Sequence, residues 1–213
     1  MRCVKLLNLA SLFLCLPLFA EELDLPEDTK PDPEHLERVQ TLSANRKYFK
    51  AVEEARGEFR KRLASILDHA DSVEIYLLDF SMAKEEGDKE DPDRFFIRPY
   101  NVSSKILARK KISGDGFLPF RKAGAELLVS GVEGGGAFCH YPIHGIRFLK
   151  GEDILYQTSL CWHCQNFFVE YPDDEDASWV GIDSESLKEL LSKEMPVPQS
   201  EIDRFNEALH PDK

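Results

Sequence analysis

Basic residues are scarce in this 213-residue chain, which has 27 lysines and arginines against 39 aspartates and glutamates. A formal net charge of −12 repels the phosphate backbone, so we expect no nucleic-acid partner. The sequence also lacks both the G-x-S-x-G nucleophile turn and the H-E-x-x-H metal helix. Its glycine-rich segment at 131–136 has no lysine of the phosphate-loop type. The familiar motifs of hydrolases and nucleotide-binding enzymes are therefore missing.

A long apolar run is missing as well, but a short one lies at the N-terminus. After a positively charged start, residues 6–19 form an apolar segment that ends at Ala20, a small residue suited to cleavage. A membrane-spanning helix needs ~20 apolar residues, and Pro17 interrupts this shorter run. We therefore expect residues 1–20 to be a signal peptide, the mature chain to be periplasmic or extracellular, and no integral membrane segment to remain after cleavage.

Cleavage before Glu21 would remove Arg2 and Lys5 and shift the net charge from −12 to −14. Residues 21–34 are rich in proline and acidic residues, a composition that cannot bury enough apolar surface to order itself. We interpret them as a flexible leader. The remainder, residues 35–213, is long enough for one ordinary domain with its own core.

The apolar pattern within that domain predicts an α+β fold. Apolar residues at three- and four-residue steps predict one long or two consecutive amphipathic helices between residues 35 and 70, and a further helix at 117–130 with Gly131 as a left-handed stop. Short β-branched and aromatic runs predict strands, and two short helices follow near the C-terminus. Helices and strands in irregular order favour a small mixed or antiparallel sheet over a doubly wound parallel one. The predicted strands cover residues 72–80, 94–98 and 104–112, and the predicted C-terminal helices cover residues 184–192 and 200–209.

The segment from residue 138 to 171 predicts a β-hairpin around a turn at Lys150-Gly151. If Leu149 faces Ile154 in an unbroken ladder, His144 lies opposite Ser159 and shares a face with Cys161, because side chains alternate along a strand.

Cysteine is also scarce, since only three of the five cysteines would survive signal cleavage. Cys139 and Cys164 lie just beyond the open end of the predicted hairpin, so Cys139, His144, Cys161 and Cys164 are expected to converge. Thiolates and an imidazole are preferred zinc ligands, and Cys161-x-x-Cys164 has the spacing of zinc knuckles. We therefore predict a structural site for zinc or another soft metal. His140 and His163 are alternative ligands, although each is also interpreted as a packed or exposed histidine.

Two other interpretations of the cysteines remain open. A plain structural disulfide could join Cys139 to Cys161 or Cys164, as the oxidising compartment allows. Alternatively, the Cys161/Cys164 pair could act as an envelope thiol-disulfide oxidoreductase, although the β-like residues after Cys164 do not suit the helix that normally activates such a thiol.

The block Cys139-His140-Tyr141-Pro142-Ile143-His144-Gly145-Ile146, followed by Leu160-Cys161-Trp162-His163-Cys164, resembles a C-x2-P-x-H-[AG]-[IL] … C-x-x-C element of uncharacterised exported bacterial proteins. The resemblance covers about a quarter of the chain. It implies that the four predicted ligands act as a unit, and it implies no activity. We accordingly expect a non-enzymatic exported domain, with the envelope thiol-disulfide oxidoreductase as the alternative function. Another envelope protein is a candidate binding partner, because an acidic surface would suit such docking.

Overall fold

The computed structural model describes residues 33–81, 91–133, 140–172 and 178–209. The predicted signal peptide, nearly all of the predicted leader and Cys139 lie outside these residues. Contacts group Lys47–Lys213 into one compact unit and Met1–Arg46 into another. No helix within the described ranges combines the length and apolar character that a membrane span requires.

The described elements confirm the predicted α+β class. The four α-helices are α1 (Pro33–Ile66), α2 (Phe117–Ser130), α3 (Ser186–Glu194) and α4 (Gln199–Leu209). The eight strands are β1 (Ser72–Leu78), β2 (Arg94–Ile97), β3 (Val102–Ser113), β4 (Val132–Glu133), β5 (His144–Lys150), β6 (Asp153–Cys161), β7 (Asn166–Val169) and β8 (Ser178–Gly181). Short 3-10 turns occupy Leu67–His69, Arg98–Tyr100 and Gly114–Gly116.

All eight strands form one sheet in the order β2-β3-β1-β5-β6-β7-β8-β4. Every neighbouring pair runs antiparallel. Alternation of side chains along β1 directs Ile75 to one face and Tyr76 to the other, and both are fully buried. The sheet therefore has an apolar cluster on each face.

The larger cluster lies on the face covered by α2. Phe120, Leu127 and Leu128 of that helix are buried in it together with Ile75 and Ile146 of the sheet. Gly124 permits the close approach, because a Cβ there would lie 2.3 Å from Phe148 Cζ. The smaller cluster, on the other face, contains Tyr76, Leu78, Phe95 and Ile97, with Trp179 packed against it.

The structure settles one prediction about helices and corrects another. The residues that indicated one or two helices form the single helix α1, which continues through Gly57. Gly131 does end α2, but its φ of −54° is not left-handed. A small residue is needed there because a Cβ would lie 2.6 Å from Val180 Cγ1.

The predicted hairpin register is correct next to the turn and wrong beyond it. Leu149 pairs with Ile154 as expected, but Phe148 pairs with Tyr156, so Leu155 is an extra, bulged residue. From there the ladder is shifted by one, and His144 faces Leu160 instead of Ser159. Since a one-residue shift exchanges the two faces of a strand, His144 and Cys161 lie on opposite faces of the sheet.

The close approach at Gly145 gives a first testable prediction. A Cβ on Gly145 would lie 2.7 Å from Phe95 Cε2, so Gly145→Ala should lower the free energy of unfolding by about 1–3 kcal/mol. The same change at Gly57, where a Cβ would have no neighbour within 4 Å, should instead raise it by about 0.5–1 kcal/mol. Urea unfolding of both variants measures whether each change lowers or raises the free energy of unfolding. Equal effects at the two positions would contradict the close approach of Phe95 to β5.

Candidate functional site: the cysteine turn

A tight turn, residues 161–165, connects β6 to β7 and carries the C-x-x-C pair; we call it the cysteine turn. Cys161 is the last residue of β6 and pairs with Asn166, the first of β7. Gln165 has a φ of +50°, which closes the chain back toward the strand. This reversal brings the backbone N–H of Cys164 to 3.2 Å from Cys161 Sγ.

Cys161 is a fully buried free thiol. Its sulfur accepts backbone N–H bonds from Tyr141, His163 and Cys164, of which the Tyr141 bond measures 3.4 Å. Burial raises the pKa of the Cys161 thiol, and the three N–H bonds act in the opposite direction without cancelling that effect. The sulfur is thus held in place but is a poor nucleophile, because its thiol is buried and its pKa is raised.

Cys164 is disulfide-bonded. Because Cys161 is free, the two cysteines of the C-x-x-C pair are not joined to each other. This separates the cysteine turn from an oxidised C-x-x-C redox pair, in which the two sulfurs bond to one another.

His144 lies on the other side of the sheet, at the start of β5, and is fully buried. Its Nε2–H donates to the carbonyl oxygen of Met195 at 2.9 Å, and its Nδ1 accepts from Trp162 Nε1–H at 2.9 Å. Burial lowers the pKa of His144, and the bond to Met195 opposes part of this effect. The neutral His144 ring therefore connects Met195, the residue after α3, to Trp162 in the cysteine turn.

The predicted ligands can now be placed individually. The expected shared face for His144 and Cys161 is wrong, because of the bulge at Leu155. Within the described ranges no group of three or more His, Cys, Asp or Glu residues could hold a metal ion. Cys139 lies outside those ranges, so the four-ligand zinc site as a whole stays a prediction. His163, one of the alternative ligands, is exposed, with its ring 5.7 Å from that of Phe205.

His140, the other alternative ligand, is a packed, fully buried histidine, and its polar partners Asn166 and Ser159 were not predicted from the sequence. His140 Nδ1 lies 2.7 Å from Asn166 Oδ1, and its Nε2 lies 2.8 Å from Ser159 Oγ. The ring packs on Trp179 with centroids 4.2 Å apart. Burial lowers the pKa of His140 to about 4, against the opposing effect of the bond to Asn166. His140 is thus neutral, with Nδ1–H donating to Asn166 and Nε2 accepting from Ser159.

The order serine, histidine, amide follows the hydrogen-bond order of hydrolase triads. Ser159 is fully buried, however, as are His140 and Asn166, so a substrate has no access to the hydroxyl. The arrangement instead fixes the segment before β5 to both β6 and β7. No sequence signal could have identified Ser159 and Asn166, since both are common polar residues in apolar strands.

The last helix, α4, packs beside the cysteine turn. The ring of Phe205 lies 5.9 Å from that of Tyr141 and 5.0 Å from that of Phe80. Arg204 Nη2 donates to Asp79 Oδ1 at 2.9 Å, which ties α4 to the segment after β1.

No protein-family model matches the chain, and neither characterised proteins nor solved structures give a match. The resemblance to exported bacterial proteins therefore stays a prediction.

Proposed function

We propose that this chain is an exported, non-enzymatic α+β domain in which the cysteine turn acts as a structural clamp. The observation that carries the proposal is the unequal state of the two sulfurs: Cys164 is disulfide-bonded, whereas Cys161 is a buried free thiol. A disulfide at this position restricts the unfolded chain, a stabilisation suited to a domain outside the cytoplasm. Export itself is inferred from the pattern of residues 1–20.

We assign Cys139 as the partner of Cys164, because it is the other cysteine of the chain that follows the predicted signal peptide. The bond would join the segment before β5 to the turn after β6. His140 supports the same connection through its bonds to Ser159 and Asn166.

The chemistry of Cys161 favours this clamp over the oxidoreductase alternative. A catalytic thiol needs a lowered pKa and access to a disulfide substrate. Cys161 has a raised pKa and a fully buried sulfur.

The zinc alternative has one favourable observation, since three N–H donors around Cys161 Sγ would also suit a metal-bound thiolate. Two of the other predicted ligands, Cys164 and His144, are already engaged in this form of the protein. The Cys164 sulfur is bonded to another sulfur, and both nitrogens of His144 are engaged.

Thiol and metal contents test the clamp directly. Mature protein isolated from the envelope should show about one free thiol per chain after denaturation, since a single disulfide uses two of three cysteines, and no stoichiometric metal. Cys164→Ser should lower stability by about 2–4 kcal/mol and release a second thiol. Cys161→Ser, the matched control, should leave no titratable thiol and retain the disulfide.

Three free thiols per chain together with one equivalent of metal would contradict the disulfide clamp and indicate a zinc site instead. The mass of the isolated chain also tests export, because cleavage before Glu21 leaves a chain without residues 1–20.

A further inference from the structure

Two adjacent side chains hold α4 against the body of the domain. The half-buried Phe205 places its ring near Tyr141, His163 and Phe80, at 5.9, 5.7 and 5.0 Å between centroids. Arg204 donates to Asp79 at 2.9 Å and lies over the Phe80 ring, with its guanidinium carbon 4.4 Å from the centroid.

Phe205 contacts two residues that also hold the buried sulfur. The backbone N–H groups of Tyr141 and His163 both donate to Cys161 Sγ. A displacement of Phe205 therefore removes the packing from the two segments that enclose the thiol.

The structure also supplies a hinge for this displacement. Met195, which precedes this hinge, is fixed because its carbonyl oxygen accepts a hydrogen bond from His144 Nε2. Pro196 and Pro198 then interrupt the helical structure before α4 begins at Gln199. No side chain of α4 is fully buried. Elements attached by few buried contacts open at a lower free energy than the core, so α4 can detach while α3 stays in place.

We propose that α4 is a lid that controls the reactivity of Cys161 toward disulfides. The inference rests on the proposed clamp, in which Cys161 is the one free thiol. When the lid opens, the Cys161 thiolate attacks one sulfur of an external disulfide. A mixed disulfide forms, and the other half of the reagent leaves as a thiolate.

The test uses the full mature chain and an aromatic disulfide, dithionitrobenzoate, which releases a coloured thiolate. Phe205→Ala should raise the rate of Cys161 modification about tenfold or more, because the rate follows the fraction of open molecules. Asn206→Ala, the matched control on the exposed side of α4, should stay within about twofold of the wild-type rate. Near-ultraviolet circular dichroism should show an intact core in both variants.

The wild-type protein provides an independent measurement should Phe205→Ala fail to fold. The logarithm of the modification rate should rise with urea along a shallow slope, since opening a lid exposes far less surface than unfolding the domain. A slope equal to that of global unfolding would overturn the lid, as would an unchanged rate in a folded Phe205→Ala variant. The thiol count after denaturation distinguishes failure of the lid proposal from failure of the clamp proposal. One free thiol per chain supports the clamp, whatever the rate at which Cys161 is modified.

Discussion

Replacing His144 with alanine should lower the free energy of unfolding by about 3–5 kcal/mol. The ring is fully buried and bonds to both Met195 O and Trp162 Nε1. Truncation would leave the Met195 carbonyl and the Trp162 indole N–H without this partner and would open a cavity at the start of β5. Chemical denaturation followed by far-ultraviolet circular dichroism measures the loss.

Two variants separate the bonds from the packing. His144→Phe keeps most of the side-chain volume and removes both hydrogen bonds. It should therefore lower the free energy of unfolding by about 2–3 kcal/mol, which is the part of the His144→Ala loss that comes from the bonds. His69→Ala removes an exposed histidine at the end of a 3-10 turn and should change stability by less than about 0.5 kcal/mol. A His144→Phe variant as stable as the wild type would show that packing alone accounts for the residue.

Acid should weaken the fold before its carboxylates begin to titrate. Burial lowers the pKa of His140 to about 4 in the folded protein, whereas an unfolded histidine titrates near 6.5. The unfolded chain therefore takes up the proton first. Stability is fully present above about pH 6.5 and is lost as the pH falls toward about 4. Between about pH 7 and pH 5 the loss from His140 should be about 2 kcal/mol.

The pKa of buried His144 is lowered as well, so it adds to the loss in the same direction. The stabilities of wild type and His140→Gln, measured by urea unfolding at several pH values, should converge as the pH falls. Asn206→Ala removes an exposed side chain that has no titratable group and should keep the wild-type slope. Parallel curves for wild type and His140→Gln would contradict a buried neutral His140.

Local patterns predicted the elements well. The spacing of apolar residues defines α2 with the bounds that the structure has, Phe117–Ser130. The predicted hairpin turn is present one residue later than expected. Lys150 pairs with Asp153, so the turn residues are Gly151 and Glu152, and Gly151 adopts the positive φ of 62° that such a turn requires. These features depend on neighbours in sequence, whose preferences agree with the fold around them.

The arrangement around the cysteines could not be predicted in the same way. Leu155 stands between Ile154 and Tyr156, and nothing in three consecutive apolar residues marks which of them bulges. The face occupied by His144 depends on that bulge. Its bond to Met195 joins residues 51 positions apart, which no local spacing could indicate. The packing of Phe205 on Tyr141 is likewise a tertiary contact between distant segments.

The order of the strands has a consequence for how the protein folds. At the centre of the sheet, β1 pairs with β5, so that Val73 meets Phe148 across 75 positions of the chain. Closing such a long loop costs conformational entropy before any contact can compensate for it, and sheets built on distant pairings fold slowly. The first half of the chain thus cannot complete its sheet until β5 has been synthesised. Until then β1 has an unpaired edge that other chains could bind.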